Sequence, residues 1–284
     1  MHTASSIIPD GAARVTSRLS ARFAQRRDRT VMIDQFHTAP LKIAKTFRLP
    51  EEANALYVHM MDASPGILDG DHYDLEFRLE PGSHVYLTNQ SYTKIHPTPH
   101  GTGRLTQRFS MGSGAVLEYF PEPTIPYRDS RFISETRFDL AQDAIVFYGE
   151  ITTPGRTHHG ERFSFTSYDS QTAAYREGVL VNWDHFLLEP GRHRFEEIGA
   201  LEGYTHYATL WIWAPGCDED VVKRIRESVG TPTDVCWGVS LSGPSAIALR
   251  LLARNVWQAG SVITLAWNTA RTLLIGRAAP VIRR

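Results

Sequence analysis

The sequence is poor in cysteine: its 284 residues include only Cys217 and Cys236, with no CxxC spacing. That argues against a disulfide scaffold, a zinc ribbon or an iron–sulfur cluster. Charge of one sign is also missing, since 30 basic residues stand against 31 acidic ones and the formal net charge is -1. No overall positive field would recruit nucleic acid or anionic lipid. No apolar run reaches the roughly 18 residues needed to span a bilayer, and no apolar stretch followed by a small-residue cleavage site opens the chain. The expectation is a cytoplasmic protein without nucleic-acid or membrane contact. The Arg- and Ser-rich stretch at 13–30 has the composition of an organelle transit peptide, yet its run into the alternating TVMIDQFH fits a first exposed strand equally well. Two catalytic signatures are absent as well. There is no GxxxxGK[ST] phosphate loop, and HGTGRL at 100–105 lacks the third glycine of a dinucleotide turn. No GxSxG elbow supports a serine nucleophile, and VSLSGPS at 239–245 reads as a turn.

What the chain does contain is an all-β rhythm. Segments rich in Val, Ile, Tyr, Phe and Thr recur at 30–37, 55–61, 72–79, 83–88, 131–139, 144–151, 161–168 and 204–213, with turn signals such as PGS, GSG and TPG in the chain. Helix signals come late. Residues 218–229 put Val221, Val222, Ile225 and Val229 on one face, with acids first and Gly230 as a stop; residues 256–275 carry a broader stripe through Val262, Ala266, Trp267 and Leu273, ended by Gly276. Between them AIALRLLA alternates like a strand, and no internal repeat at a fixed period is visible. The reading is one domain over residues 1–284, with 1–29 either partly disordered or part of a first strand.

The candidate constellations each have a plainer reading beside the functional one. His96 and His100 are separated by prolines that forbid a shared helical face, and adjacent His158 and His159 would point apart in an extended segment, so surface loops are expected. In LEYFPEPTIPY at 117–127 three prolines force a strand to leave its sheet. Glu118 and Glu122 flank that exit and could form a glycosidase acid and base pair. Asp69, Asp71 and Asp74 lie in and just after a glycine turn, where Asp caps its own backbone. Glu150 sits in an apolar strand, and a buried carboxylate needs a cation or a proton. Arg156 paired with Glu150 or Glu161 is the structural answer, a metal path the functional one.

Together LDGD at 68–71, TNQSYTKIH at 88–96, LEYFPEPTIPY, GRTHHGERF at 155–163, IALRLL at 247–252 and WNTARTLLIG at 267–276 resemble the motifs of the UreD (UreH) urease accessory family, nearly end to end. Departures are Asn89 for a usual threonine, Leu68-Asp69 before the Gly-Asp, and the final APVIRR. The resemblance implies an all-β, β-helical scaffold with two helices in the C-terminal half and no catalysis of its own. It implies binding to UreF, which recruits the GTPase UreG, docking on apo-urease, and delivery of nickel, with no tightly bound cofactor and Ni²⁺ only in transit. Oxygen and imidazole donors suit such transit better than a thiolate cage would. Transferred by motif position, the candidate path acids are Asp71, Glu118, Glu150 and Glu161, supported by Lys94 and Arg156. The stripe containing Trp267 and Arg271 is the expected UreF contact, with Arg271→Glu expected to weaken association and leave the fold intact. The alternative is a β-helical carbohydrate-active hydrolase using a Glu pair.

Overall fold

The structure, a computed structural model, describes residues 16–52, 54–195 and 197–280. Its strands are β1 (Thr16–Arg26), β2 (Arg29–His37), β3 (Leu41–Phe47), β4 (Ala55–Asp62), β5 (His72–Leu79), β6 (His84–Asn89), β7 (Thr93–Ile95), β8 (Gly103–Met111), β9 (Val116–Tyr119), β10 (Thr124–Pro126), β11 (Arg131–Leu140), β12 (Ile145–Thr152), β13 (Ser167–Arg176), β14 (Val179–Leu188) and β15 (His206–Trp213). Helix α1 (Glu219–Val229) follows, then β16 (Val235–Gly243), β17 (Ala246–Ala253) and helix α2 (Val256–Ile275).

From β4 to β13 the long strands alternate between two sheets. One sheet has the order β14-β13-β11-β8-β5-β1-β2, the other β16-β17-β15-β12-β9-β6-β4-β3. Pairing within β5-β8-β11-β13 and within β4-β6-β9-β12 is parallel. Antiparallel strands flank the coil at both ends. A short third ladder runs through β7, β10 and the end of β12. This is the β-solenoid expected, with two helices.

Period-two alternation fills the interior. In β5 Tyr73, Leu75, Phe77 and Leu79 are buried while His72, Asp74, Glu76 and Arg78 face out. In-register coils stack like on like: Phe77, Phe109 and Phe138 lie face to face at 5.4 and 4.8 Å between ring centroids. The middle of the second sheet is buried on both sides, which is why β15 reads as ATLWIW, a run apolar but for Thr209. Trp211 and Trp213 join the lumen core, and Leu210 and Ile212 join a second core under the helices with Val222, Ile225, Val262 and Ala266.

The helices begin and end where their chemistry dictates. Asp218 caps α1 by accepting from Val221 N–H, Asn255 caps α2 by accepting from Gln258 N–H, and Gly276 closes α2 at φ 76°. One expected strand is absent, because residues 161–166 form an irregular loop and the strand begins only at Ser167. That loop is held by Arg156, as described below.

Candidate functional site

The same alternation that fills the lumen turns Tyr148, Glu150 and Thr152 of β12 inward and Phe147, Gly149 and Ile151 outward. Register then extends the layer sideways. Glu150 is opposite Thr209 of β15, and Thr209 is opposite Arg250 of β17. On the other sheet Gln107, Thr136, Thr172 and Asp184 are register partners in one rung across β8, β11, β13 and β14. A polar layer thus lies beside the aromatic stack in an otherwise apolar interior. Part of it is tightly bonded: Tyr119 donates to Gln107 Oε1 at 2.6 Å, and Gln107 Nε2 donates to Thr136 at 2.9 Å.

Two cavities meet at Glu150. The first, of about 90 Å³, is lined among others by Asp62, Asn89, Lys94, Gln107, Glu150 and Tyr168. The second, of about 10 Å³, is lined by Glu150 and Tyr168 again, with Asp184, Phe186, Tyr207 and Thr209. About 10 Å³ is the space of a single water, and Glu150 and Tyr168 are the two residues that both cavities share. Glu150 is partly exposed and lines both cavities, and its carboxyl is pushed up to about 7 by desolvation, against the lowering effect of the Tyr148 hydroxyl and with the charge of Asp184 adding to the rise. No basic side chain pairs with Glu150 among the described residues. The buried Tyr148 hydroxyl faces Glu150 and Thr136 without a well-formed bond to either. Asn89 Oδ1 is likewise buried without a partner. The larger cavity thus has two oxygen donors in its lining, the Glu150 carboxyl and Asn89 Oδ1, of the hard kind that divalent cations prefer.

Asp184 at the far end is held by Arg250, at 2.5 Å. Neither residue stood out in the sequence, although VNWDHF at 181–186 carries the same signal as the Glu150 strand: an acid inside an apolar strand.

The other candidates separate from this site. Glu118 is 1 % exposed and points out of the lumen toward α2, because its neighbours Leu117 and Tyr119 point in. It accepts from Trp267 Nε1 at 2.6 Å and from Arg271 Nε at 2.9 Å, and it contacts His84 Nε2 at 2.6 Å. Arg271, wholly buried, makes a second ion contact at 2.9 Å with buried Glu52. Burial alone would raise the Glu118 carboxyl, but the His84 and Arg271 contacts hold it below the usual carboxylate range. Trp267 and Arg271, expected as partner contacts, are therefore interior clamps that fasten α2 to the solenoid. The exposed tryptophan of this helix is Trp257, 79 % exposed beside an open groove of about 880 Å³.

Asp71 caps its own turn by accepting from Leu68 N–H, as turn chemistry predicted, and does not line either cavity. Lys94 does line the larger one. Arg156 pairs with Glu161 rather than Glu150, donating through Nε at 2.8 Å, and lies over the Tyr127 ring at 4.0 Å. Glu161 also accepts from Arg128 N–H. This pair organises the 155–163 loop and keeps Glu161 out of the lumen. Among the described residues no three His, Cys, Asp or Glu side chains converge as a metal cage, and no described helix is long and apolar enough to cross a membrane.

Comparison with known proteins agrees with the motif resemblance. The family model described as UreD urease accessory protein matches residues 15–284. The urease accessory protein UreD of Acetivibrio thermocellus is 32% identical over 252 residues, 89% of this chain and 96% of that protein. Its counterpart in Halalkalibacterium halodurans is 30% identical over 91% of this chain and 94% of its own length. The urease accessory protein UreD 2 of Brucella suis biovar 1 is 28% identical over 96% of this chain and 92% of its own length. The chain belongs to the UreD urease accessory protein family.

Proposed function

We propose that this chain is a urease-maturation scaffold that joins UreF, and through it the GTPase UreG, to apo-urease, and that its polar layer conducts Ni²⁺ as cargo. The carrying observation is Glu150: a carboxyl without a basic partner among the described residues, lining two cavities in the polar layer of the lumen. An interior acid without a cation costs stability, and groups in such surroundings cluster at functional sites. A carboxyl titrating near neutrality exchanges its proton for a divalent cation at small cost. The hydroxyls of Tyr148, Tyr168, Thr172 and Thr209 supply oxygens that replace lost water but release the ion again.

The hydrolase reading fares worse. Its acid, Glu118, is engaged by an arginine, a tryptophan and a histidine and is closed to a polysaccharide. The test is the isosteric change Glu150→Gln. The variant should co-purify with UreF and UreG yet activate urease poorly at limiting nickel, with partial rescue by excess nickel. Wild-type activation at every nickel concentration, with assembly intact, removes Glu150 from the path.

A further inference from the structure

The outer end of the polar layer has an asymmetry that an ordinary surface ion pair lacks. Asp184 belongs to the interior: its side chain is 14% exposed and it lines the small cavity beside Glu150. Arg250 belongs to the surface, with a side chain 54% exposed, and it reaches the carboxylate from outside at 2.5 Å. Its guanidinium lies over the interior-facing Trp211 ring, 5.7 Å from Cζ to centroid. Beside the pair, Phe186 and Tyr207 stack at 3.8 Å and 13° and form another wall of the same cavity. These two rings come from strands of opposite sheets, so the stack and the ion pair together span the seam between β14 and the β15–β17 side of the solenoid.

We infer that Arg250 is the gate of this passage. Its guanidinium satisfies Asp184, sets a positive charge at the mouth and excludes divalent cations from the isolated chain. Drawing it aside frees a second carboxylate one cavity's width from Glu150. The inference rests on the conduit reading of the polar layer. Its physical basis is competition: a carboxylate cannot serve both a bidentate-capable guanidinium and an incoming cation, and the two cations repel each other in a space that holds about one water. Water re-solvates the half-exposed guanidinium when it is displaced, and the largely buried Asp184 carboxylate it leaves behind is then compensated by the incoming cation. Electrostatic exclusion with a low cost of opening is what a gate requires. A buried pair such as Arg271–Glu118 could not provide it.

The experiment uses the full chain and NiCl₂ in a non-chelating buffer, followed by calorimetry. Arg250→Gln removes the charge and should tighten Ni²⁺ binding by about tenfold or more. The gain should vanish in the Arg250→Gln/Asp184→Asn double variant, and Arg250→Lys, which keeps the charge, should bind as wild type does. If the glutamine variant fails to fold, Arg250→Met repeats the test, since it keeps an apolar stem. Binding by the charge-removed variant no tighter than wild type overturns the gate, as does a gain that survives Asp184→Asn. Urease activation separates this failure from failure of the conduit. Reduced activation by Glu150→Gln with unchanged nickel binding in Arg250→Gln leaves the passage and removes the gate. Wild-type activation by both Glu150→Gln and Asp184→Asn removes the passage and the gate with it.

Discussion

Replacing Glu150 by Gln should stabilise the protein increasingly as pH rises above 4.5, and most at neutral and alkaline pH. In the folded chain the carboxyl is pushed from the ordinary 4.5 to about 7, chiefly because burial disfavours its charged form. At about 1.4 kcal/mol per pH unit the difference amounts to roughly 3 kcal/mol. The sign follows from proton counting. Between pH 4.5 and 7 the folded state holds a proton that the unfolded state has released, so stability falls as pH rises through this window. Below 4.5 both states are protonated and the contribution is fully present; above 7 both are ionised and it is lost. Glutamine has nearly the same volume and never ionises. Its advantage should therefore be close to zero at pH 4.5, grow across the window, and level off near 3 kcal/mol by pH 8. Denaturant unfolding of both proteins at pH 4.5, 6 and 8 measures this directly, and unchanged slopes would show that the unfolded states are comparable. Equal stability at pH 8, or a less stable Gln variant, would mean that the carboxylate is already compensated. The reasoning that makes it a cation site would then be refuted.

Three further outcomes are expected. Arg271→Ala leaves Glu118 and Glu52 buried without their shared cation and should cost about 3 to 5 kcal/mol, seen as a lower unfolding midpoint or lost soluble protein. This replaces the expectation that a charge reversal at Arg271 would spare the fold. Gly66→Ala should destabilise by more than about 1 kcal/mol, because φ at this residue is +142° and a Cβ would stand 2.4 Å from the Lys94 carbonyl oxygen at the wall of the larger cavity; thermal melting checks it. The isolated chain should bind no guanine nucleotide, given the missing phosphate loop, and micromolar GTP binding by calorimetry would contradict that.

Local pattern made the helices and many strands legible, because their determinants lie within a few residues. Val221, Val222, Ile225 and Val229 mark one face of α1, and Asn255 and Gly276 bound α2 at its two ends. The solenoid itself was legible only through motif resemblance. Its coils are stacked by register, as in Phe77 on Phe109 on Phe138, yet the linking turns differ in length, so no fixed period marks the sequence. Residues 161–166 failed for a related reason. ERFSFT alternates like a strand, but Arg156 and the backbone of Arg128 bond Glu161, and those contacts hold the segment as a loop.

The acids show where sequence reading reaches its limit. Glu118 and Glu150 look alike as single carboxylates in apolar strands, although Glu118 is buried and Glu150 only partly so. What separates them is parity and the opposite wall: Glu118 faces a helix that supplies Arg271 and Trp267 from more than a hundred residues away, while Glu150 faces Asp184, a second acid. One arrangement neutralises the charge and fastens α2 to the solenoid, so it is explained by folding alone. The other sets two acids on one small cavity and compensates one of them only by a half-exposed Arg250. Folding gains nothing from that placement. A stable solenoid would be better served by an apolar residue at position 150, and the cost of a carboxyl there is the physical ground on which the proposed cation passage is placed in the lumen rather than at the Glu118 cluster.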